Sequence, residues 1–193
     1  MTPVTYDAAD RVLTERLSPS ALAHSRRVAA AAAQLASQFG VDVELARLSG
    51  LLHDWDRELT RDELVGSAVS AGLEITGADA AVPYLLHART GATALRKRFP
   101  DLEQAVIDAV AHHTVGSAQM TALDKVVYIA DMIEPGRHYE GVDELREIAA
   151  TAPLDELFVS AYQQSVAHLV RSRKRIHPQT VAVWNALIAG DKR

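Results

Sequence analysis

Helix punctuation constrains this chain more than any other feature of its sequence. Ser18-Pro19 reads as an N-cap followed by proline at the first helical position. An alanine-rich run from Ala21 to Gln38 follows, and Gly40 supplies a C-terminal stop. Asp42 can cap a second helix that carries Leu45, Leu48, Leu51 and Leu52 at helical spacing and ends near His53. Thr60-Arg61-Asp62-Glu63 fits a capping box, and Gly72 and Gly77 bracket a loop. Pro83 opens a short helix reaching His87, and another helix is predicted from Thr90 to Arg98. Pro100-Asp101 starts the segment Leu102 to His113. Thr121 caps Leu123 to Ile133, which ends at Glu134-Pro135-Gly136 because the residue before a proline resists helix. Helices near 141–151 and 154–173 follow, and Pro178 opens the last one. No segment shows the period-two alternation of a strand, and there is no internal repeat or low-complexity linker. Aromatic residues make up only 5% of the chain, which favours closely packed helices over a β-sandwich. The expectation is one all-α domain over residues 1–193, with a core at about 20–140 and C-terminal helices at about 141–190.

A chain of 193 residues can bury a substantial core. It has no cysteine, which removes disulfides, thiolate metal sites and a cysteine nucleophile. The net charge of −5 argues against bulk nucleic-acid binding, which needs a basic face to displace phosphate counterions. A small phosphorylated substrate is compatible with that charge if metal ions and a few arginines supply local positive potential. No apolar stretch approaches a membrane span. The N-terminus Met-Thr-Pro-Val-Thr-Tyr-Asp lacks a basic region followed by an apolar run, so no signal peptide is expected. The expected location is the cytoplasm.

Five of the eight histidines, His24, His53, His87, His112 and His113, fall where predicted helices begin or end. A single histidine in such a place more often caps carbonyls or satisfies a core hydrogen bond than binds a metal. The ordered set carries more information. His24, His53-Asp54, His87, His113 and Asp131 each lie in an apolar stretch, such as Gly-Leu-Leu-His-Asp or Tyr-Ile-Ala-Asp. Apolar flanks imply burial, and buried ionisable groups need a partner or a metal. A buried salt bridge from Asp131 to Arg27 would account for one carboxylate but not for four histidines. Imidazole and carboxylate donors without thiolate suit iron, manganese, cobalt, zinc or nickel.

This order of residues resembles the HD-domain superfamily of metal-dependent phosphohydrolases, helical bundles whose signature is a histidine, then His-Asp, then a distal aspartate. Gly50-Leu-Leu-His-Asp, Leu85-Leu-His, His113-Thr-Val-Gly, Met120-Thr-Ala-Leu-Asp-Lys and Ala130-Asp-Met-Ile-Glu-Pro-Gly-Arg137 are similar to the YqeK-type family of bacterial symmetrical diadenosine tetraphosphate hydrolases. The similarity runs from about His24 to Asn185. It implies two divalent metal ions, with iron as the expected metal. His24, His53, Asp54 and Asp131 would hold one ion. His87 and His113 would hold the other, with Asp54 bridging. His112 competes with His113, and the family's His-Thr-x-Gly pattern selects His113. The implied reaction is attack of a metal-activated hydroxide on a central phosphate, giving two ADP. Asp54, His53, Arg27 and Arg57 are the expected catalytic residues. Arg27, Arg57, Lys125, Arg137 and Thr114 are the expected substrate contacts.

The chain departs from the family at two places. Asp56-Arg57 stands where relatives have a lysine, which exchanges a point cation for a planar fork. Ala88-Arg89-Thr90-Gly91 replaces a frequent Gly-Pro. Trp55 could stack on an adenine or plug the core, and its place beside two expected ligands favours the plug. The run Arg171-Ser-Arg-Lys-Arg175 reads as a solvated helix end rather than a binding patch. Two other functions fit the same residues. One is an HD phosphohydrolase acting on a nucleoside monophosphate or a guanosine alarmone. The other is a regulatory HD module that binds a nucleotide without cleaving it. The expected partner is a dinucleoside polyphosphate or another nucleotide, with no nucleic acid and no membrane, and a homodimer is compatible with the sequence.

Overall fold

The computed structural model describes residues 4–190. Met1–Pro3, where the N-terminal leader reading begins, and residues 191–193 of the expected domain lie outside that range. Among the described residues there are eleven α-helices and no strand. They are α1 (Tyr6–Arg16), α2 (Pro19–Phe39), α3 (Val43–Leu52), α4 (Arg61–Ser70), α5 (Gly77–Ala81), α6 (His87–Arg98), α7 (Gln104–His112), α8 (Ala122–Ile133), α9 (Val142–Thr151), α10 (Leu154–Arg171) and α11 (Pro178–Gly190), with a 3-10 turn at Pro83–Leu86. None of these helices is long and apolar enough to cross a membrane.

The helix starts follow from local chemistry. The Ser18, Asp42, Thr60 and Thr121 side chains each accept a backbone N–H in the first turn of the helix that follows. At Thr60 and Thr121 the acid three residues on, Glu63 or Asp124, returns the bond to the cap backbone. Three elements differ from the sequence expectation. Helix α1 was not anticipated, because it buries only Ala9 and Leu13 and so carries too short an apolar stripe to read. The loop expected between Gly72 and Gly77 is followed at once by α5, which starts on a Thr76–Asp79 capping box. In addition, α6 begins at His87 rather than Thr90, directly continuing the 3-10 turn.

Helix α2 runs between two apolar clusters. Val28, Ala32 and Leu35 pack with Val126, Ile129 and Phe158 on one side. Leu22 and Ala29 pack with Leu51, Leu52 and Trp55 on the other. Small residues let the backbones approach closely. A Cβ added at Gly50 would sit 2.9 Å from the Ala29 Cα and 3.0 Å from the Ala29 nitrogen. That contact fixes the end of α3 against α2, and the residues just beyond it are His53 and Asp54.

Gly50→Ala is expected to cost about 1–3 kcal/mol of stability, because the methyl group overpacks two backbones that cannot both yield. Gly66 lies inside α4 with open space around its Cα. Gly66→Ala should therefore be neutral or stabilising by up to about 1 kcal/mol, through helix propensity alone. Urea denaturation of both variants checks the contrast; equal effects would show that the α2–α3 approach is not tight.

Burial of the Tyr162 phenol, which donates to the Val115 carbonyl at 2.7 Å, pushes its pKa up to about 12. The unfolded chain ionises near the ordinary value of about 10. Unfolding therefore releases a proton between these values, and stability should fall as pH rises from about 10 towards 12, by at most about 1.4 kcal/mol per pH unit for this one group. Denaturation midpoints at stepped alkaline pH test it, and Tyr162→Phe should make the fall shallower.

Candidate metal centre

Five chain segments bring six side chains to one point. His24 lies in the second turn of α2. His53 and Asp54 follow the last residue of α3. His87 opens α6, His113 follows α7, and Asp131 sits in the last turn of α8. His24, His53, Asp54, His87 and His113 are buried, and of the six Asp131 alone keeps a partly open face.

Each imidazole is held by its Nδ1. His53, His87 and His113 direct Nδ1 at the carbonyl three residues earlier, Gly50 at 2.8 Å, Tyr84 at 2.6 Å and Val110 at 2.7 Å. A carbonyl oxygen can only accept, so Nδ1 must carry the proton and, in the neutral ring, Nε2 must carry the lone pair. His24 does the same against the Glu134 carboxylate at 3.1 Å. The Nε2 atoms then face a common volume. His24 Nε2 lies 3.0 Å from Asp131 Oδ1, and His53 Nε2 lies 3.1 Å from Asp54 Oδ2. His87 Nε2 lies 3.0 Å from His113 Nε2 and 3.3 Å from Asp54 Oδ1. Asp54 thus turns Oδ2 towards His24 and His53, and Oδ1 towards His87 and His113.

Two groups have donor atoms close enough to share an ion: His24, His53 and Asp131, and His53, Asp54 and His113, each within 4.8 Å. The Nε2 atoms of His24 and His53 are buried without a hydrogen-bond partner. Converging lone pairs with no donor among them are the arrangement that a cation satisfies. Both aspartates are available as anions. Burial opposes ionisation of Asp54, but positive charge at His53, His113 and His87, whether from imidazole protons or from a cation bound in their place, outweighs it and holds its carboxyl well below the usual range. Burial likewise opposes ionisation of Asp131, and His24, His53 and Arg137 overcome it.

Above these groups lies a cavity of about 230 Å³ lined by Asp54, Arg57, His87, Thr114, Asp131 and Arg137, among others. Arg57 Nη1 donates to Asp54 Oδ2 at 2.5 Å. Arg137 donates Nε to the Asp131 carbonyl at 2.7 Å and bonds the Asp131 carboxylate through Nη2. The Thr114 hydroxyl lies 3.1 Å from His113 Nε2.

Other expected residues lie elsewhere. Arg27 neither pairs with Asp131 nor lines the cavity; its Nε donates to Glu134 Oε2 at 2.6 Å. Lys125 pairs with Asp155 at 2.7 Å. It stands six residues before Asp131 on α8, a spacing that turns it to another face. His112 faces Asp124 at 3.2 Å, away from the cluster. Arg89 is bonded to the Glu74 carbonyl at 2.8 Å and lies 3.5 Å from Asp79. Trp55 is a core plug, edge-on to Phe99. Arg16 explains its neighbour: its Nε donates to the Trp55 carbonyl and its Nη2 to the buried Asp56 at 2.6 Å. Of the divergent triplet Trp55-Asp56-Arg57, only Arg57 reaches the cavity.

Two residues went unassigned in the sequence reading. Glu134 is almost fully buried and grips both His24 and Arg27. Burial works against its charge, but Arg27 and the Gly136 N–H bring its pKa down to about 2. Its signal was present, as an acid before a proline at the end of an apolar helix. Tyr84, one turn before His87, rims the cavity with its ring 4.6 Å from the His87 ring.

The HD domain family model matches residues 21–136, which contain all six of these side chains. The chain belongs to the HD-domain family. Curated relatives named symmetrical bis(5'-nucleosyl)-tetraphosphatase come from Bacillus subtilis and Halalkalibacterium halodurans. The first is 29% identical over 91% of this chain and 94% of its own. The second is 30% identical over 88% of this chain and 89% of its own. A solved HD superfamily hydrolase from Clostridium acetobutylicum, described as involved in NAD metabolism, superposes with a TM-score of 0.90 at 31% identity, covering 98% of this chain and 100% of that one. Family membership and the geometry agree on a site for divalent metal.

Glu134→Gln removes the negative partner of His24 Nδ1 while keeping the shape. It is expected to weaken divalent metal binding about 10–100-fold, the usual cost of losing a group that orients a ligand. Calorimetric titration of metal-free protein with manganese measures this; unchanged affinity would remove Glu134 from the site.

Proposed function

We propose that this protein hydrolyses diadenosine tetraphosphate symmetrically to two ADP. The observation that carries the proposal is the division of Asp54, one oxygen towards each histidine pair, beneath a cavity rimmed by two arginines. The near full-length likeness to two enzymes named for this reaction supports the same reading.

His24, His53, Asp54 and Asp131 are assigned to one divalent ion, and His87 and His113 to a second, with Asp54 shared. Such ions, when bound, supply Lewis-acid neutralisation of phosphate charge and lower the pKa of a water to near neutrality. The donor set is free of sulfur, which suits iron, the metal expected here, and also manganese, cobalt, nickel or zinc. Asp54 and Asp131 stay ionised throughout. Arg57 and Arg137, now holding those carboxylates, are the groups that bind phosphoryl oxygens. A guanidinium retains donors after making one carboxylate contact, and its planar fork matches a phosphate edge. The Thr114 hydroxyl is a further donor to the same oxygens. Arg27 acts at one remove, by fixing Glu134 and through it His24. Lys125 is left out of the substrate contacts because Asp155 holds it. Water adds to one central phosphorus, the bridging oxygen leaves with the other half, and two ADP result.

Protein reconstituted with ferrous iron or manganese should convert diadenosine tetraphosphate to ADP alone, with products resolved by ion-exchange chromatography. AMP with ATP, or no turnover with any of the metals named, would overturn the proposal, and turnover confined to other nucleotides in a panel would redirect it. Asp54→Ala should abolish activity. Arg57→Ala should lower kcat/KM about 100-fold, the scale on which one preorganised charge donor acts.

A further inference from the structure

We infer that the cavity between α8, the 134–141 loop and α10 seats one nucleoside end of the substrate, with Tyr139 as its stacking wall and Gln164 as the group that reads the base. The inference rests on the dinucleotide reading above.

Size requires a second seat. The metal cavity holds about 230 Å³, less than the roughly 300–1,000 Å³ in which drug-sized ligands are enclosed. Two nucleosides joined by four phosphates must extend well beyond it. A cavity of about 500 Å³ adjoins it and shares four lining residues, Asp131, Met132, Arg137 and Ser165. Another cavity of similar size, about 480 Å³ beside His112, shares no lining residue with the metal cavity. A polyphosphate gripped by Arg137 is therefore directed into the first of these.

The walls of that cavity suit a base. Tyr139 is exposed to 38%, and its hydroxyl donates to the Met132 carbonyl at 3.0 Å, which fixes the ring. Every base offers a π-face to such a ring. Gln164 lines the cavity and its buried amide oxygen has no partner. The amide packs over Gly141, whose φ is +91° and where an added Cβ would come within 2.0 Å of the Gln164 nitrogen. The positive φ calls for glycine there, and the missing side chain leaves the space that the Gln164 amide fills. A buried acceptor without a donor is costly, and a ligand that brings an N–H removes that cost. Adenine offers its exocyclic amine. Hypoxanthine presents a carbonyl at the same position and cannot donate from it.

The test uses full-length protein, stripped of metal by chelation and titrated calorimetrically with ADP and with inosine diphosphate. Wild type should prefer ADP by about fivefold, the equivalent of one net hydrogen bond. Gln164→Leu should abolish that preference, Tyr139→Ala should weaken both ligands, and Tyr139→Phe should restore both. Thermal unfolding of each variant guards against a folding defect. With manganese restored, Tyr139→Ala should raise KM for diadenosine tetraphosphate about tenfold while kcat stays within a few-fold. Equal affinity of wild type for the two diphosphates, or a preference that survives Gln164→Leu, would overturn the base reading. Turnover of the tetraphosphate with KM unchanged in Tyr139→Ala would overturn the seat itself and leave the hydrolase reading standing. The predicted ADP preference without any turnover would instead sink the hydrolase reading and leave the cavity as an adenine-nucleotide site.

Discussion

A carbonyl oxygen cannot donate, and the centre depends on that asymmetry. Three of its four imidazoles lie against the carbonyl three residues back, at Gly50, Tyr84 and Val110. The contact sets the tautomer, the ring plane and the direction of Nε2 together. At Gly50 and Val110 it is made in the last turn of a helix, where carbonyls lack an intrahelical partner, whereas the Tyr84 carbonyl, in the 3-10 turn, also accepts from the His87 backbone N–H. A helix end thus supplies both the ligand and the acceptor that orients it. This is why the site is assembled from segment ends although the chain between them is regular. His24 lies inside α2, where carbonyls are already engaged, and it requires Glu134 from the end of α8 instead.

Asp54 depends on the same geometry at one remove. Its oxygens face different histidine pairs because the turn after α3 is held on two sides. Gly50 lets α3 press on Ala29 of α2, and Arg16 clamps the Trp55 carbonyl and the Asp56 carboxylate from the end of α1. The Arg16–Asp56 pair joins an exposed guanidinium to a buried carboxylate, and it contributes less as a stability element than as a positional one, since loss of Arg16 would leave the buried Asp56 charge without its partner beside the turn that carries Asp54. The arginine expected to touch phosphate most directly, Arg57, begins one residue after that clamp. The divergent stretch following His-Asp is thus divided by burial, with Trp55 and Asp56 facing the core and Arg57 facing the cavity.

This division shows what a single sequence can and cannot convey. The caps at Ser18, Asp42, Thr60 and Thr121 were legible because a cap is a contact between residues two or three apart. The helical class was legible from caps and composition, and the six converging side chains from apolar flanks together with the family resemblance, which chose His113 over His112. Helix α1 was not, because two buried residues do not make a periodic pattern. The Arg16–Asp56 and His24–Glu134 contacts span 40 and 110 residues, and no local rule reaches so far. Lys125 and Arg27 were placed at the substrate by charge and by the family resemblance. Their carboxylate partners, Asp155 and Glu134, come from elements whose approach only the packing decides.

The centre also works against the fold that carries it. Lone pairs from His24, His53, His87 and His113 and two carboxylates converge in a buried volume, and two of those nitrogens have no protein donor. Buried polar groups in that condition destabilise a native state, so the surrounding structure must over-determine their positions. The apolar clusters on both flanks of α2 do so, because moving His24 or the His53 turn would separate α2 from α3, where both cores meet. A bound cation removes the same penalty directly. Metal binding and folding are therefore linked in this chain: an ion that binds the native arrangement alone stabilises it by mass action. The helices preorganise the ligands at a cost in stability, and the ion returns that stability when it binds.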